Sequence, residues 1–144
     1  MTVSCIGHAD APHTMQACLR DVLTELIETR GACKFYVGTH GGFDRMAERV
    51  LYDLKGQYPH VQCFAVLSHM PREHALEGHL LDTLFPAEVA VAMPRFAICR
   101  RNEWMIRESD AVITFVHRAC GGAAKYKRMA LAQGKEIIEL SALM

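Results

Sequence analysis

Residues Lys34 to Asp44, KFYVGTHGGFD, carry the clearest structural signal in the chain. The first four of these residues form a short apolar run of the kind found in strands, and the glycine-rich turn Gly38–Gly42 follows at once. A stripe of apolar residues at helical spacing begins at Phe43. A strand, a glycine turn and a helix in this order predict one unit of an alternating α/β fold.

Similar units lie on both sides of this stretch. Upstream, Val3–Ile6 predicts a first strand, and apolar residues at helical spacing over 15–27 predict a helix that Thr14 caps and Gly31 ends. Downstream, apolar runs at 61–67, 111–116 and 136–140 predict strands, and helices are predicted over 95–109 and from Gly122 to about Gln133. The sequence therefore predicts one domain over residues 1–144. It is a three-layer Rossmann-like α/β fold with a mostly parallel sheet of about five to six strands.

Residues 68–92 carry the weakest pattern. Pro71, Gly78 and Pro86 interrupt the segment 68–87, where a short helix is predicted near 73–84. Glu88–Ala92 is predicted to be a short strand.

The composition excludes several classes of protein. The chain has 144 residues, of which 51% are hydrophobic and 22% charged, as is typical of a globular rather than a disordered protein. Its apolar runs are shorter than the ~20 residues of a membrane helix, and the N-terminus lacks the pattern of a signal peptide. A cytoplasmic protein with no membrane partner is therefore expected. The formal net charge is zero, which argues against nucleic acid as a partner because phosphate backbones attract an excess of positive charge.

The neutral average conceals a local excess of positive charge. Residues 95–128 contain only three acidic residues against eight basic ones, which are Arg95, Arg100, Arg101, Arg107, Arg118, Lys125, Lys127 and Arg128. This segment includes the predicted helix at 95–109 and the last glycine turn. Such an arrangement suits a small anionic ligand.

The cysteines and histidines indicate neither disulfides nor a metal site. The cysteines are spread evenly, with no CxxC pair and no Cys-His cluster at zinc-finger spacing; they are Cys5, Cys18, Cys33, Cys63, Cys99 and Cys120. We expect free thiols in a reducing compartment. His74 and His79 are five residues apart, which does not place them on one face of a helix. The sequence predicts no metal and no cofactor.

Three loops that follow predicted strands carry most of the candidate ligand-binding residues. Because the carboxyl ends of parallel strands meet at one edge of a sheet, these loops should converge there. Glycine allows backbone N–H groups to approach a phosphate, and the helix N-terminus behind each loop adds partial positive charge. The pattern is neither a Walker A motif nor the dinucleotide fingerprint. The candidates are Gly7, His8, Gly38, Thr39, His40, Gly41, Gly42, Asp44, Gly121 and Gly122.

The predicted helix at 95–109 adds two further candidates. Arg101 and Asn102 fall on its inward stripe, between Ile98 and Met105. A buried guanidinium is costly unless it meets an anion. Two interpretations remain open: a structural pair with Asp44 or Asp10, or a clamp on a ligand phosphate, which suits the planar fork of arginine. Asp44 itself either complements a helix dipole or binds a ribose hydroxyl.

These motifs together resemble the SLOG superfamily, which is named for the Smf/DprA and Lonely Guy proteins. Gly38–Asp44 is similar to its Gly-Gly-x-x-Gly-Phe-Asp element, and Cys5–His8 is similar to the Thr-Gly-His-Arg start of its small stand-alone bacterial and phage members. Arg101-Asn102 followed by Asp110 resembles their Arg-Asn…Asp segment, and Gly121-Gly122 stands where they have Pro-Gly-Gly-Thr. The resemblance implies a Rossmann-like fold, a nucleotide or nucleotide-derived ligand at the strand ends, and a homo-oligomer.

The chain also departs from the pattern. Thr39 replaces the second glycine of the family element, and Ala9 stands where these proteins often have arginine. Cys120 and Ala123 replace the Pro and Thr that flank the last glycine pair. At Thr39 we expect a tighter turn or an altered approach of the backbone to a phosphate.

Lonely Guy enzymes, which the chain resembles through Arg101, cleave the N-glycosidic bond of nucleoside 5'-monophosphates with an arginine and a glutamate. The glutamate position falls on Lys127, and residues 125–128 contain no carboxylate. The first interpretation is therefore a sensor or carrier that binds a small nucleotide-like ligand. One alternative is an N-glycosidase of nucleoside 5'-monophosphates with Asp44, Arg101 and His8 as catalytic candidates. The other, suggested by the Smf/DprA resemblance, is single-stranded DNA binding, although no aromatic residues interleave the basic stretch.

Overall fold

A six-stranded parallel sheet forms the centre of the computed structural model, which describes residues 1–70 and 78–143. The strands are β1 (Thr2–Gly7), β2 (Lys34–Val37), β3 (Gln62–Val66), β4 (Asp82–Leu84), β5 (Ala111–Phe115) and β6 (Glu136–Glu139). They lie in the order β4-β3-β2-β1-β5-β6, and every pairing is parallel. The predicted Rossmann-like α/β fold is confirmed.

Helices cover both faces of the sheet. They are α1 (Met15–Arg30), α2 (Gly42–Gln57), α3 (Ala87–Ala90), α4 (Ala97–Arg107) and α5 (Gly122–Ala132). Phe35 of β2 belongs to the core beneath α1 and α2, whereas its neighbour Tyr36 belongs to the core beneath α4 and α5. Successive residues of a strand point to opposite faces, so the apolar run of β2 fills two cores at once. Within the described residues, none of the helices has the length and apolar character needed to cross a bilayer.

Two features of the weakly patterned segment differ from the prediction. Residues 73–77 of the helix predicted near 73–84 lie outside the described residues, and in its described part the prediction is wrong, because residues 82–84 form β4 instead. The strand predicted at Glu88–Ala92 is wrong, because Ala87–Ala90 is one turn of helix. Pro86 begins this turn, and its carbonyl accepts the N–H of Ala90 at 3.0 Å. Val89 is the one buried residue of this turn, whereas a strand at the centre of a parallel sheet would bury residues on both of its faces.

The strand order places a crevice at the carboxyl edge of the sheet. From β1 the chain adds β2, β3 and β4 on one side, and then returns to add β5 and β6 on the other. The order therefore reverses between β1 and β5, which is where ligands bind in open α/β sheets. The loops that follow β1, β2 and β5 all lie at this edge, as the sequence predicts.

Gly7 ends β1 at this edge because no side chain fits there. A Cβ at this position would lie 2.6 Å from the ring of Phe43, the second residue of α2. The close approach seats the first turn of α2 directly on the end of β1.

We expect Gly7→Ala to lower the free energy of unfolding by about 1–3 kcal/mol, because the added methyl must displace a fully buried ring. Gly56→Ala is the matched control. Gly56 lies within α2 and a Cβ there would meet nothing within 4 Å, so we expect a gain of about 0.5–1 kcal/mol from helix propensity. Urea unfolding followed by circular dichroism measures both. Equal effects of the two substitutions would contradict the close contact at Gly7.

Candidate functional site

A cavity of about 230 Å³ opens at the carboxyl edge of the sheet, beside the end of β1. Seven of the residues predicted from the sequence line it: Gly7, Gly38, His40, Asp44, Arg101, Asn102 and Gly122. They come from the ends of β1 and β2 and from three helices, α2, α4 and α5. The fold thus brings together residues that are up to 115 positions apart in the sequence, counted from Gly7 to Gly122.

Arg101 is the most buried charged group of the site, with 1% of its surface exposed. Its Nη1 donates to Thr39 Oγ1 at 3.1 Å and to the carbonyl oxygen of Val66 at 2.9 Å. Its Nε donates to Asn102 Oδ1 at 2.7 Å. All of these acceptors are neutral.

The positive charge of Arg101 therefore has no carboxylate bonded to it among the described residues. Of the two structural partners considered from the sequence, Asp10 instead accepts from Arg118 at 2.7 Å. Burial lowers the pKa of Arg101, and the nearby charge of Asp44 opposes this shift. An arginine nevertheless stays protonated in proteins. The arrangement holds a fixed, largely dehydrated cation at the wall of the cavity.

The side chains of Asp44 and Arg101 both lie against Gly38. A Cβ at Gly38 would lie 2.5 Å from Asp44 Oδ2 and 3.1 Å from Arg101 Cζ, so only glycine allows these two side chains to approach β2 so closely. Asp44 is 9% exposed, and its Oδ2 accepts the backbone N–H of His40 at 3.0 Å. Burial raises the pKa of Asp44 to about 6, against the opposing effects of that hydrogen bond and of Arg101.

His40 contacts the other side of the arginine. The Nη2 of Arg101 lies 3.4 Å from His40 Nδ1, and the hydroxyl of Thr39 lies 3.2 Å from the same nitrogen. A guanidinium only donates, so its contact requires Nδ1 to be an acceptor, which is the neutral form of the ring, and the Thr39 hydroxyl then donates to the same nitrogen. Burial, and then the charge of Arg101, lower the pKa of His40 in agreement with this assignment.

The glycine turns before α2 and α5 share one backbone conformation but differ in what they leave open. Gly41 has φ 92° and Gly121 has φ 96°, both in the region that favours glycine. Before α2, the N–H of Gly42 donates to the carbonyl of Ala9 at 2.8 Å. Gly122 at the start of α5 lines the cavity instead. Gly122 therefore places the start of α5 at the cavity, whereas α2 reaches the cavity through the Asp44 side chain of its first turn.

His8 connects two loops of the site and does not line the cavity. It is 3% exposed, its Nδ1 accepts the backbone N–H of His117 at 3.2 Å, and its Nε2 lies 3.2 Å from the carbonyl oxygen of Cys120. With Nδ1 as an acceptor, Nε2 carries the proton and donates. Both ring nitrogens thus fix the turn that leads into α5.

The structure also shows the state of the cysteines and the position of Lys127. All six cysteines are free thiols. Lys127, at the position where the Lonely Guy resemblance expects a glutamate, pairs with Glu139 at 3.0 Å and does not line the cavity.

Sequence reasoning missed several lining residues. They are Cys5, Ile6, Ile98, Ala123 and Tyr126. Tyr126 lies one helical turn after Gly122, so helical spacing from the glycine turn was the signal available for it. Ile98 was assigned to the inward stripe of α4, yet 40% of it is exposed at the mouth of the cavity.

Comparisons with known proteins identify the fold. No protein-family model matches the chain, and no curated protein matches it in sequence. The solved structures that share its fold include those of two DNA processing proteins. DNA processing protein A (DprA) from Streptococcus pneumoniae is 15% identical with a TM-score of 0.70, over 96% of this chain and 49% of that one. DprA from Helicobacter pylori is 19% identical with a TM-score of 0.69, over 96% of this chain and 64% of that one.

The chain thus spans about half to two thirds of the length of these DprA chains. The H. pylori structure is described as showing a single-stranded DNA binding mode of that protein. The prediction that argued against nucleic acid as a partner is therefore wrong. Its physical error was to use net charge, which is an average over the whole surface, whereas phosphate contacts depend on charge at one edge.

We expect the buried carboxyl of Asp44 to make stability depend on pH. Its pKa in the folded chain, about 6, lies above the usual value for aspartate, so the folded state holds the proton more tightly than the unfolded state. Stability should therefore fall as pH rises from about 4 to about 6 and then level off. Asp44→Asn removes this loss, so the variant should gain up to about 3 kcal/mol relative to wild type between pH 4 and pH 8.

Urea unfolding of both proteins across this pH range measures the difference. Titrations common to both chains, such as that of His40, largely cancel in the comparison. A difference between variant and wild type that stays constant from pH 4 to pH 8 would contradict the raised pKa.

Proposed function

We propose that the chain binds single-stranded DNA through phosphates held at the cavity between β1, β2, α4 and α5. We further infer that it belongs with the small stand-alone members of the SLOG superfamily. The DprA fold and the four motifs quoted from the sequence support this placement.

The observation that carries the proposal is the Arg101 guanidinium. It is buried, held by three neutral acceptors, and bonded to no carboxylate among the described residues. A cation in such a cage attracts a ligand anion more strongly than a solvated one does. The N-terminus of α5, which begins at Gly122, faces the same cavity and adds partial positive charge.

The basic residues of segment 95–128 divide into two groups that support this site. Arg100, Arg107, Arg118 and Lys127 each pair with an acidic side chain. The other four contact neutral groups. Arg95 lies over the Phe96 ring, Arg101 donates to the neutral acceptors given above, Lys125 contacts Cys99 Sγ, and Arg128 contacts the Ala119 carbonyl. Local charge therefore favours anions near the first turns of α4 and α5, although the chain is neutral overall.

An aromatic side chain also accompanies this charge. Phe96 immediately precedes α4, is 44% exposed, and carries the guanidinium of Arg95 at 4.8 Å from its ring centre. An exposed ring with a cation over it offers a surface on which a nucleobase stacks. No interleaved aromatic pattern in the sequence predicted this role, because a single aromatic residue would fill it.

The test measures binding of a fluorescein-labelled oligothymidylate by anisotropy at several salt concentrations. Wild type should bind with an affinity that falls as salt rises, with a slope of about 0.7 per phosphate contact. Arg101→Gln should weaken binding about 10- to 100-fold through loss of a charged hydrogen bond, and lower the salt slope. The affinity of Arg101→Lys should lie between those of wild type and Arg101→Gln.

Arg107→Gln is the matched control. Arg107 lies on the same helix but pairs with Glu88, outside the cavity lining, so its affinity should equal that of wild type. Thermal unfolding confirms that each variant folds. Absence of salt-dependent binding by wild type, or equal weakening by the Arg101 and Arg107 substitutions, would overturn the proposal.

One observation favours a second candidate, hydrolysis of the N-glycosidic bond of a nucleoside 5'-monophosphate. The carboxyl of Asp44 lines the same small cavity, and burial raises its pKa to about 6. A carboxyl with such a pKa is suited to exchange a proton near neutral pH. Arg101 would hold the phosphate, and Asp44 would protonate the leaving base or position the ribose.

Chromatography of free base after incubation with each of the common nucleoside 5'-monophosphates tests this candidate. Base release by wild type that is lost in Asp44→Asn would support it. If wild type releases no base at protein concentrations well above those used for DNA binding, the hydrolase is excluded while the binding proposal stands.

A further inference from the structure

A cluster of reactive side chains joins α4 to α5 beside the cavity. Cys99 Sγ donates to Glu103 Oε1 at 3.3 Å and accepts from Lys125 Nζ at 3.7 Å. Arg100 Nη1 holds the other carboxylate oxygen of Glu103 at 3.0 Å. Cys99 is half-buried, so a small solute can reach its sulfur while the neighbouring helices hold it in place.

Two partners of Cys99 are positioned to take part in a reaction at its sulfur. The Glu103 carboxylate is placed to take the thiol proton, and the Lys125 ammonium is placed to stabilise the negative sulfur that results. The thiolate is the form of cysteine that attacks an oxidant. An amine from a different helix then lies next to the oxidised sulfur.

We propose that Cys99 and Lys125 form a reversible peroxide-dependent cross-link, a sulfenamide that joins α4 to α5. In the first step the Cys99 thiolate attacks one oxygen of hydrogen peroxide. The O–O bond breaks, sulfur loses two electrons to the peroxide, and a sulfenic acid and hydroxide form. The hydroxide takes a proton from the Lys125 ammonium, which gives water and the neutral amine.

In the second step the neutral amine of Lys125 attacks that sulfur. The S–N bond forms, the S–O bond breaks, and the hydroxyl leaves as water with a proton of the amine. The sum is one thiol, one amine and one peroxide giving one sulfenamide and two waters. A dithiol reverses the reaction by reducing the S–N bond to thiol and amine and becoming a disulfide itself.

The remaining cysteines provide internal comparisons. Cys5 and Cys63 are buried, and burial raises the pKa of both thiols, so they resist oxidation. Cys33 also has an amine nearby, since the terminal nitrogen of Met1 lies 4.0 Å from its sulfur. The Cys33 thiol donates to the carbonyl oxygen of Met1 at 3.9 Å, and a carbonyl oxygen does not act as a base here. Cross-linking at Cys33 should therefore be slower than at Cys99.

The cross-link would act on the site that both helices build. Lys125 lies 5.4 Å from the ring centre of Tyr126, which lines the cavity with Ile98 and Asn102 of α4. The reaction removes the ammonium charge of Lys125 and ties the two helices at the cavity mouth. An anion would then meet a weaker local potential.

The test treats the folded protein with hydrogen peroxide, blocks remaining thiols, and maps peptides by mass spectrometry. We expect a cross-linked peptide pair joining Cys99 to Lys125 that is lighter by two hydrogens, about 2 Da, and that dithiothreitol restores to the separate peptides. Cys99→Ser and Lys125→Gln should each abolish it. The double variant Cys33→Ser/Cys120→Ser removes the exposed competing thiols and should retain it.

Three results would overturn the proposal. They are oxidation of Cys99 to sulfinic or sulfonic acid with no cross-link, a disulfide between Cys99 and another cysteine as the main product, and a cross-link at Cys33 that forms faster than the one at Cys99. Each is read from peptide masses alone. The outcome is therefore independent of whether the chain binds DNA.

Discussion

The guanidinium of Arg101 reaches from α4 across the carboxyl edge of the sheet and meets Thr39, Asn102 and the carbonyl of Val66. Burying a charge costs free energy unless its donors are satisfied, and here neutral oxygens satisfy them. The positive charge is consequently held in place without being neutralised. The end of β3, the turn after β2 and the first half of α4 must all keep their positions for this cage to exist.

The same constraint explains the acid beside it. Gly38 is the one position of β2's turn where a side chain would strike both Asp44 and Arg101. Its lack of a Cβ lets a buried carboxyl and a buried guanidinium share one wall of the cavity without a direct ion pair. The pKa of Asp44 rises to about 6 because burial outweighs the attraction of the nearby cation. The net charge of this wall thus increases as pH falls through the pKa of Asp44, and an anionic ligand would shift that pKa further.

The positions of the charged side chains, rather than their sum, indicate where this protein could bind an anion. A net charge of zero led to an incorrect argument against nucleic acid, since it averaged paired and unneutralised groups. The structure separates them. Arg118 is neutralised by Asp10, whereas Arg101 is surrounded by neutral acceptors. Sequence distance gave no indication of this difference, because Asp10 and Arg118 meet only through the loops after β1 and β5.

The sequence pattern was sufficient to predict five of the six strands, the parallel sheet, and the three loops at its edge. Continuous apolar runs and glycine turns are local signals, and they gave correct predictions from β1 through β3 and again from α4 onward. The prediction of a strand at 88–92 was wrong because a short apolar segment with one buried residue, Val89, is compatible with a turn of helix as well as with a strand. The folded structure was needed to show that Gly122 places the start of α5 at the cavity while the N–H of Gly42 at the start of α2 is bonded to Ala9. It was also needed to show that Arg101 has no carboxylate bonded to it among the described residues and that Cys99 meets Lys125. These are contacts between distant segments, and their geometry follows from how the helices pack on the sheet, which no local pattern encodes.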